Sequence, residues 1–197
     1  MTRRIRLTRS ARWVLASVVL QRISEIVWAR RNERRLRRRG GVEHGSSHYP
    51  LMVVMHVGWL VATALESSTT RRTRPALLIG YALLQPLRYW VIRSLGDRWT
   101  TRIIVVPGEE PVRHGPYRFL RHPNYAVVVA EIALLPTSLG APRTAGFFTV
   151  LNALVMAVRI PAEERALAGA GPDVSSGFAR SVRIRTTPSP VAGVDGG

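Results

Sequence analysis

Cysteine is absent from the chain, and so is lysine. The first absence excludes disulfides, thiolate metal sites and thiol nucleophiles. The second makes all 29 basic residues arginine, a side chain that stays protonated at any working pH and grips carboxylate or phosphate with a planar fork. Acidic residues are scarce too. Twelve of them leave a formal net charge of +17, which calls for an anionic partner. The five histidines have no metal-like spacing, so no metal is expected. At 197 residues, the length suits one domain.

Nucleic acid and an anionic membrane surface both answer to that charge. The placement of the arginines separates them. They cluster at residues 30–39, 71–74 and 93–121, between apolar runs and not along one face of an amphipathic helix. The apolar runs cover residues 11–29, 50–65, 75–92, 125–139 and 145–160. A spanning helix needs roughly 17–25 mostly apolar residues. Each run is near that limit, and the first carries Arg22 and Glu25. Five in a row with arginine-rich separators predict an all-α, polytopic membrane protein with about five transmembrane helices, and no nucleic-acid partner. Membrane lipids are the expected anionic partner.

Arginine distribution also predicts orientation. With the N-terminus outside, the inner side holds seven arginines at residues 30–39, six at 93–121 and five from Arg159 onward. The outer side then holds five before Trp13, three at 71–74 and Arg143. The excess predicts an outer N-terminus and a cytoplasmic C-terminus. Arg3, Arg4, Arg6 and Arg9 precede the first run, but no small-residue cleavage site follows it, so the run is expected to be a retained helix. Pro50 and Pro75 fall near helix starts, where the missing N–H costs nothing. The break PTSLGAP at residues 136–142 predicts that the last two runs form a helical hairpin. Residues 170–197, rich in Gly, Pro, Ser and Thr, read as a poorly ordered tail after a single domain at 1–169.

Two polar segments carry chemistry. VRHGPYRFLRHPNY, residues 112–125, joins the third and fourth runs. Gly115-Pro116 and His122-Pro123 are turn signals, and proline restricts His122 to extended backbone. Tyr117 and Tyr125 offer flat faces suited to an adenine or a sulfonium, because a cation over an aromatic face is attracted by the ring quadrupole. RIPAEERAL, residues 159–167, closes the last run. Arg159 and Glu163 share a helical face if the helix continues past Pro161. Glu163 and Glu164 offer carboxylates for ribose hydroxyls or an amino group.

GPYRFLRHPNY, followed about forty residues later by R-x-x-x-E-E-x-x-L, resembles the isoprenylcysteine carboxyl methyltransferase family, from about Trp99 to Leu167. RWTTRIIVVPGEEPVRHGPYRFLRHPNYAVVVAEIALLP and LNALVMAVRIPAEERAL look like a bacterial branch that O-methylates long-chain alkylresorcinols or alkylpyrones, with SEIVWARRNERRLRRRGGVEHGSSHYPLMVVMH upstream fitting it too. The resemblance implies an O-methyltransferase with a cytoplasmic cofactor pocket, a lipophilic small-molecule acceptor and a functional link to a type III polyketide synthase. It implies that S-adenosylmethionine is held by Val112, Tyr117, His122, Pro123, Asn124, Tyr125 and Glu163, with Glu164 beside them, and that Arg159 faces the acceptor. His122 is the motif's nearest candidate for a base. Val127 stands where the family commonly has glycine. The same site could serve a phospholipid or isoprenoid acceptor. A basic membrane scaffold without enzymatic activity is the other alternative.

Structural roles compete for several polar residues. Arg118 and Arg121 suit lipid headgroups, and Glu163 and Glu164 could form a solvated helix end paired with Arg165. Glu25, His56, Glu66 and Glu131 lie in or beside apolar runs, where charges usually face the bundle interior. Pairing with Arg22, Arg88 or Arg159 would let them hold the bundle together. Asn152 is placed to hydrogen-bond across helices.

Overall fold

A computed structural model describes residues 7–70 and 72–170. Five helices dominate: α1 (Arg9–Arg38), α2 (Tyr49–Thr70), α3 (Pro75–Leu95), α4 (Pro123–Ser138) and α5 (Pro142–Gly169). The all-α expectation needs one correction. Residues Val42–His44 (β1) and Ile103–Val105 (β2) pair antiparallel, with Glu43 opposite Ile104. The tail beyond residue 170 and the arginines before residue 7 lie outside the described residues, as does Arg71.

The arginine cluster at 30–39 is not a loop separator. It continues α1 beyond its apolar part, and Arg35, Arg37 and Arg38 occupy the last turn, where cations meet the negative end of the helix dipole. Glycine stops the helix. Gly40 adopts φ 83°, its N–H reaches the carbonyl of Arg37, and Gly41 N–H reaches that of Leu36 at 2.8 Å. These are the bonds of a Schellman cap. A Cβ on Gly41 would stand 2.8 Å from the Leu36 oxygen and 2.9 Å from Ile104 Cγ2, so glycine also lets β2 approach.

The α4–α5 hairpin forms as the proline-rich break predicts. Ala141 N–H binds the Pro136 carbonyl at 2.7 Å across Gly140, and Pro142 opens α5. No side chain of α5 caps its own start. Glu66 of α2 does so instead, accepting from Thr144 N at 2.8 Å, Thr144 Oγ1 at 2.7 Å and Arg143 N at 3.2 Å. Glu66 is thus a cap supplied by another helix, not the arginine partner expected.

The bundle is apolar outside, and its apolar interior, built on residues such as Trp59, Ile132 and Leu135, encloses an ionic network. Leu20, Ile23 and Val27 of α1, Val54, Val57 and Val61 of α2, Ile79 and Leu83 of α3, and Phe147, Val150 and Leu154 of α5 are exposed. Glu25, Arg88 and Glu131 are buried. Arg88 Nε and Nη2 bind the two oxygens of Glu25 at 2.7 and 2.6 Å, while Nη1 reaches Glu131 at 3.0 Å. Arg22 spans the same carboxylates at 2.9 and 2.8 Å. Gln21 and Gln85 complete the network. Two cations and two anions cancel, tying α1, α3 and α4 together in the way the sequence suggests for Glu25 and Glu131.

By length and composition, two of the helices can cross a bilayer, Ser46–Thr70 and Pro142–Gly169, against the five spans expected. The shortfall has a physical cause. α1 and α3 carry the ionic residues, and α4, at 16 residues, rises only about 24 Å. Asn152 also departs from expectation. Its amide is fully buried, and neither polar atom has a partner among the described residues.

Replacing Arg88 with Leu strands Glu25 and Glu131 against Arg22 alone. Removing one partner of a buried pair costs about 3–5 kcal/mol. The variant is expected to lose most detergent-soluble, monodisperse protein, as read by size-exclusion chromatography.

Glu43 gives a pH prediction. Burial pushes its carboxyl up, but hydrogen bonds and charge from Arg102 and Arg37 more than offset this and hold it below its usual value. A lowered folded value means stability that is complete above the unfolded value near 4.5 and lost as pH falls through the folded one. Wild type is expected to melt above Glu43→Gln by no more than about 4 °C at pH 7. The gap should close as the medium is acidified below 4.5.

Candidate functional site

The two motif segments meet at one end of the bundle. α2 starts there and α3 ends there, so the loops at both sheet strands lie on the same side as the start of α4 and the end of α5. Within the first motif, residues Gly115–Arg118 form a 3-10 turn. Gly115 sits at φ 59°, and a Cβ there would come 2.3 Å from Ser94 Oγ, so this turn seats closely on the end of α3. His122 then leaves helical geometry at φ −127°, and Pro123 opens α4. The helix of the second motif runs through Pro161 to Gly169, so Arg159 and Glu163 do share a face.

Tyr125 joins the segments. Its hydroxyl donates to the Glu163 carboxylate and accepts from Arg159 Nε at 3.1 Å. The ring stacks on His122, with centroids 5.4 Å apart. Arg159 is buried and also donates through Nη2 to the Thr101 carbonyl at 2.8 Å. Among the described residues it has no salt-bridge partner, and its Nη1 makes no hydrogen bond.

Two cavities adjoin at this junction. The first lies between β2, the following loop, the 3-10 turn, α4 and α5. It is lined by Val112, Tyr117, His122, Asn124, Tyr125, Arg159 and Glu163 among others. The second extends into the bundle between α1, α2, α4 and α5, past Met52, Val53, His56, Trp59 and Met156 to the ionic network. Trp99, Thr100, Asn124, Tyr125 and Arg159 line both and form the wall between them. Two polar atoms of this wall, Asn124 Oδ1 and Trp99 Nε1, are buried with no partner among the described residues.

The remaining expected site residues lie at the margin. Pro123 is buried at the first turn of α4 but lines neither cavity. Glu164 faces outward and approaches His122 Nε2 at 3.4 Å and Arg121 at 3.7 Å, not Arg165. Arg165 binds the Pro161 carbonyl instead. Arg118 lies over the ring of Phe119. Burial, then the nearby Glu163 charge, raise the Tyr117 phenol well above its usual range, so it is a neutral donor.

Sequence reasoning missed the third side of the site. Residues 98–100, 102–106 and 109–111 line the first cavity. Arg98 clamps that loop through Glu109 at 3.1 Å and through the Glu110 carbonyl. Arg102 stacks on Tyr49, 4.2 Å from its ring centroid, and Tyr49 Oη meets Thr101 Oγ1 at 3.1 Å. The β-branched run Ile103-Ile104-Val105-Val106 before Pro107-Gly108 is a strand signal that could have revealed it.

Outward apolar helices around an interior that holds an ionic network, with a cavity lined by both motif segments at one end, fit a helical membrane protein. The chain belongs to the isoprenylcysteine carboxyl methyltransferase family, whose model matches residues 76–169 and so takes in both motif segments. This is a family of membrane methyltransferases whose methyl donor is S-adenosylmethionine. The uncharacterized protein YpbQ of Bacillus subtilis is 39% identical over 160 residues, 79% of this chain and 95% of that protein. An uncharacterized protein of Haemophilus influenzae is 28% identical over 146 residues, 70% of this chain and 83% of its own length. No solved structure matches the chain.

Proposed function

We propose that the chain is a multi-pass O-methyltransferase that uses S-adenosylmethionine and acts on a lipophilic acceptor, a phenolic or pyrone lipid of the kind made by a type III polyketide synthase. The observation that carries this reading is Arg159, a buried cation with no salt bridge among the described residues, linked to Glu163 only through the Tyr125 hydroxyl and set in the wall between the motif-lined cavity and one that runs into the apolar bundle. A buried charge needs a counter-charge. An oxyanion on the bundle side meets that need.

The polar cavity suits the cofactor. The Glu163 carboxylate fits ribose hydroxyls or an ammonium group. Asn124 Oδ1 is an acceptor in want of a donor, and Trp99 Nε1 a donor in want of an acceptor. Tyr117, Tyr125 and His122 offer aromatic faces to the adenine or the sulfonium. When bound, S-adenosylmethionine supplies a methyl group already activated on sulfur. The protein's share is alignment, worth roughly 7–11 kcal/mol in the best oriented systems.

Arg159 is held from two sides, by Tyr125 Oη and the Thr101 carbonyl, which leaves Nη1 to the acceptor oxygen. A phenol resembling tyrosine ionises near pH ~10, so a fixed guanidinium favours its anion at neutral pH. His122 lines the polar cavity alone, which favours cofactor contact over proton abstraction from the acceptor. Glu164 and Pro123 act by placing His122. Residues 1–169 form the catalytic unit. All five helices cross the membrane, α1, α3 and α4 doing so despite their ionic residues because Arg22, Glu25, Arg88 and Glu131 pair inside the bundle, with the N-terminus outside and the site and C-terminus in the cytoplasm, where most of the arginines lie.

Two experiments test these roles in detergent. Tyr125→Ala and Glu163→Ala should each weaken S-adenosylhomocysteine binding by about ten- to a hundredfold, the loss of one charge-assisted hydrogen bond. Unchanged affinity in both would remove the cofactor assignment. Arg159→Ala should abolish methyl transfer to a long-chain alkylresorcinol while S-adenosylhomocysteine affinity stays within about threefold. An equal fall in cofactor affinity would place Arg159 on the cofactor side.

A further inference from the structure

His56 lies in the second cavity, on α2, and takes part in none of the roles above. Its Nδ1 is 2.8 Å from the carbonyl of Met52, one turn back on the same helix. A carbonyl accepts only, so Nδ1 carries the proton and donates it. In the neutral ring that leaves Nε2 as an acceptor. Nε2 has no partner among the described residues, and it is not among the atoms fully sealed from the cavity.

The other groups at this level are committed. Glu25 and Glu131 are engaged by Arg22, Arg88 and the two glutamines. Tyr49 and Thr101 bind each other. Asn124 Oδ1 is also without a partner among the described residues, and it stands in the wall itself. His56 is seven residues into a helix that starts at the site, about 10 Å of rise. Its ring reaches back one turn, toward the wall.

We infer that the acceptor cavity has a second polar anchor, His56 Nε2, which accepts a hydrogen bond from a hydroxyl of the acceptor other than the oxygen that Arg159 engages. The acceptor class is therefore a lipid whose small head carries two oxygens, one at Arg159 and one bearing a proton toward His56. This rests on the reading of the second cavity as the acceptor side. His56 is a specificity-determining residue in this scheme, and methyl transfer itself takes place at the wall.

The test uses the full chain in detergent with S-adenosylhomocysteine present and two short-tailed probes, 5-pentylresorcinol and 3-pentylphenol, which differ by one hydroxyl. Calorimetry should show wild type binding the resorcinol about tenfold more tightly, as one hydrogen bond allows. His56→Leu should bring the resorcinol down to the affinity of the phenol and leave the phenol and S-adenosylhomocysteine unchanged. His56→Gln, which keeps an acceptor atom, should recover part of the difference. Equal binding of the two probes by wild type overturns the second anchor alone. So does a His56→Leu variant that weakens both probes alike. If S-adenosylhomocysteine binds and neither probe does, the acceptor cavity is misassigned and the anchor falls with it.

Discussion

Two arginines and two glutamates placed in an apolar bundle must find each other, because lipid offers them nothing. That requirement organises the fold. Arg88 lies between Glu25 and Glu131 with all three guanidinium nitrogens in use, and Arg22 closes the ring from α1. An apolar contact tolerates sliding along a helix; a forked ion pair does not. The network therefore fixes α1, α3 and α4 in register. It also brings the end of α3, the start of α4 and the arginine-bearing end of α1 to one level, where the strand pair and the motif segments assemble.

At that level Tyr125 and Arg159 serve two spaces at once. Each is a wall residue, and each is held by contacts that cross between segments far apart in sequence: α4 to α5, and α5 to the loop before β2. Under the proposed function, a donor on one side and an acceptor on the other meet at a boundary whose position neither ligand sets. Such a boundary must be stiff, since transfer depends on alignment. The stiffness comes from outside the wall, from Arg102 against Tyr49 and from the arginine clamps on the loop at Glu109 and Glu110.

Helix count, the hairpin at PTSLGAP, the shared face of Arg159 and Glu163 and the internal pairing of Glu25 and Glu131 were legible because each rests on a local rule: apolar length, proline and glycine chemistry, the spacing of a helical turn, the cost of a charge in lipid. The strand pair was not. Val42–His44 and Ile103–Val105 are three residues each and lie some sixty apart, so no periodicity window contains the pair. The course of α1 was obscured by its own arginines, which read as a separator although arginine is a good helix former. Glu66 resembled a bundle ion-pair residue because a helix start capped by a side chain from elsewhere leaves no local trace. Asn152 is fully buried with no partner among the described residues, so the expected hydrogen bond across helices is not made there.

The absence of lysine, met first as a composition oddity, acquires a meaning in these contacts. Arg88 makes three hydrogen bonds to two carboxylates on different helices. Arg159 holds a phenol with Nε and a carbonyl with Nη2, and keeps Nη1 in reserve. Arg102 stacks on an aromatic ring while pairing with Glu43. Each task needs a flat cation with donors at fixed angles. An ammonium group is a single point on a flexible stem and strongly hydrated, so it would lose most of these bonds and cost more to bury. The same fork geometry that joins the helices is the one Arg159 presents at the wall, so holding helices together and displaying a fixed cation between two cavities are two uses of one chemical property.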